Sequence, residues 1–226
     1  EFRRVLFRSN ESVIHVEVGQ RLAPQALADI HASLEAALAE VRASVADWKA
    51  MRAQVDELLA ELDAAPVSAE EKAESRAFLE WIRDDNFTFL GVRDYTLAAR
   101  DGRDYLDIVP DSGLGVLRTV SEESAARHRD PLPPDMAAVA RRKNVLIITK
   151  ASTRSLVHRP VYMDYIGVRR FGRAGQVAGE RRFVGLFTSS AYHRDVRDIP
   201  LLRHKVRQVL ERSGFNPSGH SGKAIL

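Results

Sequence analysis

The chain of 226 residues has no cysteine. That single absence removes disulfides, thiolate nucleophiles, iron–sulfur clusters and cysteine-type zinc sites together, and it fits the cytoplasm as the expected compartment. Long apolar runs are missing too. None approaches the roughly 20 residues that a membrane-spanning helix needs, so no membrane partner is expected. Aromatic residues make up 7% of the chain, and there are no repeats and no low-complexity tracts. What remains, 45% hydrophobic and 29% charged, is the composition of an ordinary globular protein. Glu1 to Ser9 (EFRRVLFRS) lacks the apolar core and cleavage site of a secretory signal. It joins awkwardly to the alternating segment after it, and residues 1–9 are expected to be a non-native leader.

The net charge of +3 conceals a division. Residues 1–140 carry 16 Lys/Arg against 26 Asp/Glu, whereas residues 141–212 carry 17 against 5. A basic block of this kind fits nucleic acid, an anionic surface or acidic neighbours. With an acidic half in the same chain, the expectation is that the basic half faces acidic helices of its own or a sister subunit.

Residues Ser12 to Val18 alternate with period two, as a half-buried strand does. A lone strand is unstable, so it is expected to complete a sheet whose other strands lie before residue 1. From Leu22 to Leu62 the apolar positions step by three and four through Leu27, Ile30, Leu34, Leu38, Val41, Val45, Trp48, Val55 and Leu58. This spacing predicts one long amphipathic helix, or two with a break near Trp48. Ser68-Ala-Glu-Glu71 has capping-box spacing for a further helix through Trp81. Strand-type composition comes next at Phe87–Leu97, Tyr105–Val109 and Leu114–Leu117, and then Pro131, Pro133 and Pro134 mark a loop before a short helix over Asp135–Arg142. Val145–Ala151, Val161–Phe171 and Arg182–Ser190 read as three more strands, the last two joined at Gly172-Arg-Ala-Gly175. Strands that succeed one another without helices pair antiparallel, so the fold class is α+β, a long helical segment followed by an antiparallel sheet flanked by helices. Pro200 and the apolar positions Leu201, Leu202, Val206, Val209 and Leu210 predict a closing helix, stopped at Gly214.

Tests for chemistry mostly fail. Gly113-Leu-Gly115 has Arg118 where the third glycine of a dinucleotide loop belongs, and Gly219-His-Ser-Gly-Lys223 lacks the first glycine and the hydroxyl of a phosphate loop. The seven histidines show no metal-binding spacing. Ser189 and Ser190 beside His193 lack the strained turn that presents a nucleophile. No catalytic residue, metal ligand or cofactor-binding residue is therefore assigned. One cluster stands out: Arg154, His158, Arg159, Arg169 and Arg170, with Tyr162 and Asp164 among them. Arginines so placed can hold an anion or an amino-acid carboxylate, and they equally suit cross-strand ion pairs on a sheet surface. Aromatic–basic stacking of the kind that binds nucleic acid is not formed by Tyr162, Tyr165 and Phe171, so no nucleic acid is expected.

Phe87-Thr-Phe-Leu-Gly91, Gly113-Leu-Gly-Val-Leu117, Leu156-Val-His-Arg-Pro-Val-Tyr-Met-Asp-Tyr-Ile-Gly167, Arg182-Phe-Val-Gly-Leu-Phe-Thr-Ser189, Asp198-Ile-Pro-Leu-Leu-Arg203 and Gly222-Lys-Ala224 occur in an order and spacing that resembles bacterial large NAD-specific glutamate dehydrogenases. The resemblance runs from about Ser12 to Leu226. It implies a piece of the long N-terminal regulatory region, made of ACT-like and PAS-like modules. Residues 10–20 would be the last strand of a truncated ACT-like module, 21–86 a helical linker, 87–198 a PAS-like antiparallel module, and 199–226 a helix leading to a missing downstream module. The parent would oxidise L-glutamate with NAD. The piece itself would bind no cofactor, and its partners would be the downstream catalytic region, sister subunits and an amino-acid effector. The other reading is a stand-alone sensor of amino acids or anions.

Overall fold

The computed structural model describes residues 14–17 and 19–213, and the chain divides into two compact units, up to Ala36 and from Ala37 onward. In the first unit the only regular element among the described residues is the start of helix α1 (Pro24–Glu61), where Leu27, Ile30 and Leu34 are exposed. Ile14 to Glu17 have no regular secondary structure; the rest of the expected Ser12–Val18 strand lies outside the described residues. The expected stop at Gly214 also lies outside them.

The second unit carries the fold. Helix α1 is unbroken at Trp48, so the longer of the two alternatives holds. Only its later turns bury an apolar stripe, Met51, Val55, Leu58 and Leu59. A 3-10 turn (Leu62–Ala64) and Pro66 end it, and Ser68 caps helix α2 (Ala69–Trp81) by accepting from the Glu71 N–H at 3.2 Å. The reciprocal half of the capping box is not made. Glu71 instead accepts from the Val145 N–H at 2.7 Å, fastening α2 to the sheet.

Strands β1 (Phe87–Arg100), β2 (Arg103–Ile108), β3 (Leu114–Gly115), β4 (Leu146–Arg154), β5 (Tyr162–Phe171) and β6 (Val177–Phe187) form one sheet. Its order is β2-β1-β6-β5-β4, with β3 beside β1 and every pairing antiparallel. Two short helices, α3 (Glu122–Arg129) and α4 (Pro134–Ala140), lie between β3 and β4, and α5 (Ser189–Tyr192) and α6 (Leu202–Ser213) come after β6.

The face under α1 and α2 is apolar. Phe89, Val92, Ile166, Val168 and Phe183 meet Met51, Val55, Leu58, Leu79 and Ile82. A chain of ring contacts crosses it from Phe78 through Trp81, Phe187 and Phe87 to Phe89 and Phe183, with centroids 5.1–6.0 Å apart. β1 bulges between Phe89 and Gly91, which brings Val92 to the same face as Phe89, while Leu90 lies on the opposite face and packs with Met163, Val184 and Leu186. The Leu90 carbonyl accepts from Val116 N–H at 2.8 Å and from the Ser44 hydroxyl at 3.1 Å.

Candidate functional site

Gly113 and Gly115 have a structural use. Gly115 takes φ +59°, and a Cβ there would lie 2.0 Å from the Leu90 carbonyl oxygen, so the turn admits no other side chain. Its N–H donates to Asp47 of α1 at 2.7 Å, and Arg118 donates to the same carboxylate at 2.5 Å. His193 faces the Ser189 backbone carbonyl at 2.7 Å, while the Ser190 hydroxyl pairs with Thr188, so no nucleophile–base pair forms there. Among the described residues no group of His, Asp and Glu is placed to hold a metal, and no helix is long and apolar enough to cross a membrane.

The arginine cluster read from the sequence divides along β5. Arg154 is in register with Tyr162 and stacks on its ring at 5.0 Å; His158, at φ +68°, and Arg159 lie in the loop after β4. Arg159 donates to the Phe187 carbonyl at 2.9 Å and leaves its Nε buried without a partner. Asp164 beside them pairs with Lys150 and accepts from the Phe187 N–H. Arg169 and Arg170 stand at the far end of the strand, about 25 Å away at the rise of an extended chain. The five residues do not converge on one ligand.

Arg169 and Arg170 themselves point to opposite faces. Arg169 is buried and donates to the Asn144 and Val139 carbonyls, so it ties down the segment before β4, and burial lowers its pKa. Arg170 forms a bidentate pair with Glu61 at 2.7 and 2.9 Å and reaches Asp94 at 3.4 Å. Asp94 in turn accepts from Arg181 at 2.7 and 2.9 Å, and Arg181 continues to Glu57 at 2.7 Å. The result is an alternating ladder Glu61–Arg170–Asp94–Arg181–Glu57 that stitches α1 to β1, β5 and β6. Arg141–Asp104, Arg203–Glu74 and His204–Glu70 also link the basic half to the acidic half. The charge division of the sequence is thus met within the chain.

Beside this ladder a cleft of about 630 Å3 opens between the end of α1 and the ends of β1, β5 and β6. Leu58, Leu62, Val109, Val145 and Val168 give it apolar walls; Glu61, Asp94 and Arg170 stand along one side, and the β5–β6 hairpin supplies Gly172 and Arg173. The hairpin is held by Gly172 N–H donating to Gln176 and Gly175 N–H donating to Gly172, with Gly175 at φ +74°. Arg173 is exposed and makes no ion pair among the described residues.

The opposite face hides a second polar group that the sequence did not signal. The Arg182 guanidinium lies between the Tyr95 and Tyr165 rings, at 3.9 and 4.9 Å, and donates to Glu180 at 2.8 Å. The Tyr165 hydroxyl donates to the same carboxylate oxygen. Burial, with the charge of Glu180 added, outweighs Arg182 and pushes the Tyr165 phenol well above its ordinary range. Arg93 is buried nearby on the Leu117 and Thr119 carbonyls, and His128 packs its ring on Tyr95 at 4.9 Å.

Comparison with known proteins bears out the resemblance read from the sequence. Residues 199–226 match the family model described as glutamate dehydrogenase, helical motif 1. The chain is 38% identical over 221 residues to an NAD-specific glutamate dehydrogenase of Halomonas elongata and 40% identical over 223 residues to one of Pseudomonas aeruginosa. It is 30% identical over 219 residues to the NAD-specific glutamate dehydrogenase of Mycobacterium tuberculosis. Each similarity takes in 96% of this chain, yet the chain spans only 12–14% of the length of these relatives.

Proposed function

We propose that this chain is a regulatory and assembly segment of a large NAD-specific glutamate dehydrogenase and takes no part itself in hydride transfer. The whole enzyme would oxidise L-glutamate to 2-oxoglutarate and ammonium while reducing NAD. The observation that carries this reading is the identity of 38–40% maintained over 96% of the chain against relatives of which it spans 14%.

The division of labour is supported by topology. A dinucleotide is cradled where a parallel strand feeds a glycine-rich turn into a helix N-terminus. Here every strand pairing among the described residues is antiparallel, and the one direct strand-to-helix passage, from β6 through Thr188, leads into a helix of four residues. These residues do not fit NAD. The PAS-like reading of 87–198 rests on strand order, with the first hairpin at one edge and the last strand central beside β1. The helical linker and the closing helix would join this module to its neighbours, the downstream catalytic region would be its partner in the same chain, and sister subunits its partners in a cytoplasmic homo-oligomer.

The test compares two proteins, the full-length protein that carries this segment and the 226-residue chain alone. Glutamate-dependent NADH formation is expected from the first and none from the second. Turnover by the isolated chain would overturn the division of labour; inactivity of the full-length protein would overturn the parentage.

A further inference from the structure

We infer that the cleft between α1 and the β5–β6 hairpin is a binding site for a small organic carboxylate with an apolar body. This goes beyond the dehydrogenase reading and does not rest on it, because the argument uses only the groups that line the cleft. At about 630 Å3 the space suits a small molecule, and its walls are mainly Leu58, Leu62, Val109, Val145 and Val168. Such walls favour an apolar body over a bare ion such as phosphate, whose whole surface asks for hydrogen bonds.

The sign of the ligand is set by which polar groups are already used. Asp94 accepts from Arg181 at two oxygens and from Arg170, and Glu61 takes a bidentate pair from Arg170. Both carboxylates are already charge-paired with Arg170 and Arg181, so an ammonium group entering the cleft would gain less from them than from an unpaired carboxylate. An anion has no such difficulty. Arg173 stands on the lip with its guanidinium unpaired among the described residues, and Arg170, whose side chain is 40% exposed, keeps N–H groups beyond those given to Glu61 and Asp94. A planar carboxylate matches the fork of a guanidinium. A zwitterionic amino acid would satisfy its carboxylate but meet only carboxylates already paired with arginine at its ammonium, so the deaminated acid is favoured over the amino acid of the same skeleton.

The experiment titrates the 226-residue chain, by calorimetry and by amide chemical shifts, with 4-methylpentanoate, L-leucine, 3-methylbutylamine and inorganic phosphate. Saturable binding of 4-methylpentanoate is expected, with shifts at Val168–Arg173, and weaker or no binding of the other three. Arg173→Gln, an exposed hairpin substitution expected to leave the melting temperature unchanged, should weaken 4-methylpentanoate about tenfold, the loss of one charge-assisted pair. No saturable signal at millimolar 4-methylpentanoate overturns the proposal, as does equal affinity in the Arg173→Gln variant. Equal binding of phosphate would remove the apolar body, and equal or tighter binding of the amine or of leucine would remove the charge argument. None of these outcomes bears on whether the full-length protein oxidises glutamate, so the two readings fail separately.

Discussion

On the face under α1 and α2, Phe183, Ile166, Val92 and Phe89 close against Met51, Val55 and Leu79, and the ladder of Arg170, Asp94 and Arg181 with Glu57 and Glu61 runs beside this apolar core. On the other face the same strands bury Glu180, Arg93 and Arg169 and half-bury Arg182 and Tyr165. Neighbouring positions of β6 belong to one or the other: Phe183 to the first, Arg182 and Glu180 to the second. The apolar face gains its stability from area, which tolerates small errors in position. The polar face is stable only when each donor finds its acceptor, because an unmatched buried charge costs more than a matched one contributes. The apolar side therefore supplies most of the folding free energy, and the polar side fixes register and holds the segments between β3 and β4 in place.

Substitutions on the two faces break this contrast in different ways. The largest effect is expected for Phe183→Ala, which removes the fully buried last ring of the chain and should cost about 3–5 kcal/mol of unfolding free energy in urea melts. A cost below about 1 kcal/mol would mean that the helices do not close on this face as described. The next largest belongs to the polar face. Arg182→Met alone strands Glu180 beside two phenol rings and should cost about 3 kcal/mol. Replacing both, Glu180→Met with Arg182→Met, should cost less than the single change, because no unpaired charge is left. If the double variant is instead the less stable of the two, the network adds stability outright and the contrast between the faces disappears.

The same contrast explains what could be read from the sequence. The antiparallel class, the cap at Ser68, the helical character of α1 and the alternation through Phe183–Phe187 were legible, because they depend on local period and on short-range hydrogen bonds, whereas the period alone left open whether α1 breaks near Trp48. β6 begins at Val177, five residues before the expected Arg182. Val177-Ala-Gly-Glu-Arg181 looks like a loop by composition, but Gly179 is a glycine because a Cβ there would lie 2.0 Å from the Tyr95 carbonyl oxygen, and Glu180 and Arg181 find their partners far away in sequence. Helix α3 was missed for a related reason. Glu122–Arg129 has no apolar stripe, and its local support is a Ser121 cap with Arg127, His128 and Arg129 in the last turn, where positive charge suits the helix dipole. The arginine cluster failed as a single site since proximity along β5 says nothing of which end or face a side chain reaches. The cleft itself is assembled from α1, β1, β5 and β6, and no local pattern announces a cavity between four elements.

His128 offers the finest test of the polar face, through proton linkage rather than truncation. Burial is the leading cause that holds its pKa below the ordinary value of 6.5, and Arg182 and Arg93 add to it, while the hydrogen bond to the Leu106 carbonyl and the charge of Glu180 act in the opposite sense. A base whose folded pKa is depressed binds its proton more readily in the unfolded chain, so unfolding takes up protons in this window and stability rises with pH. The native protein should therefore lose stability as the pH falls from about 7 toward 5.5, before most carboxylates begin to titrate. His128→Gln retains a donor for Leu106 and has no charge to gain, so its urea-melt stability should be flatter across the same interval. An identical pH slope in the two proteins would show that the imidazole stays wet, and that the polar face opens to solvent between α3 and Tyr95.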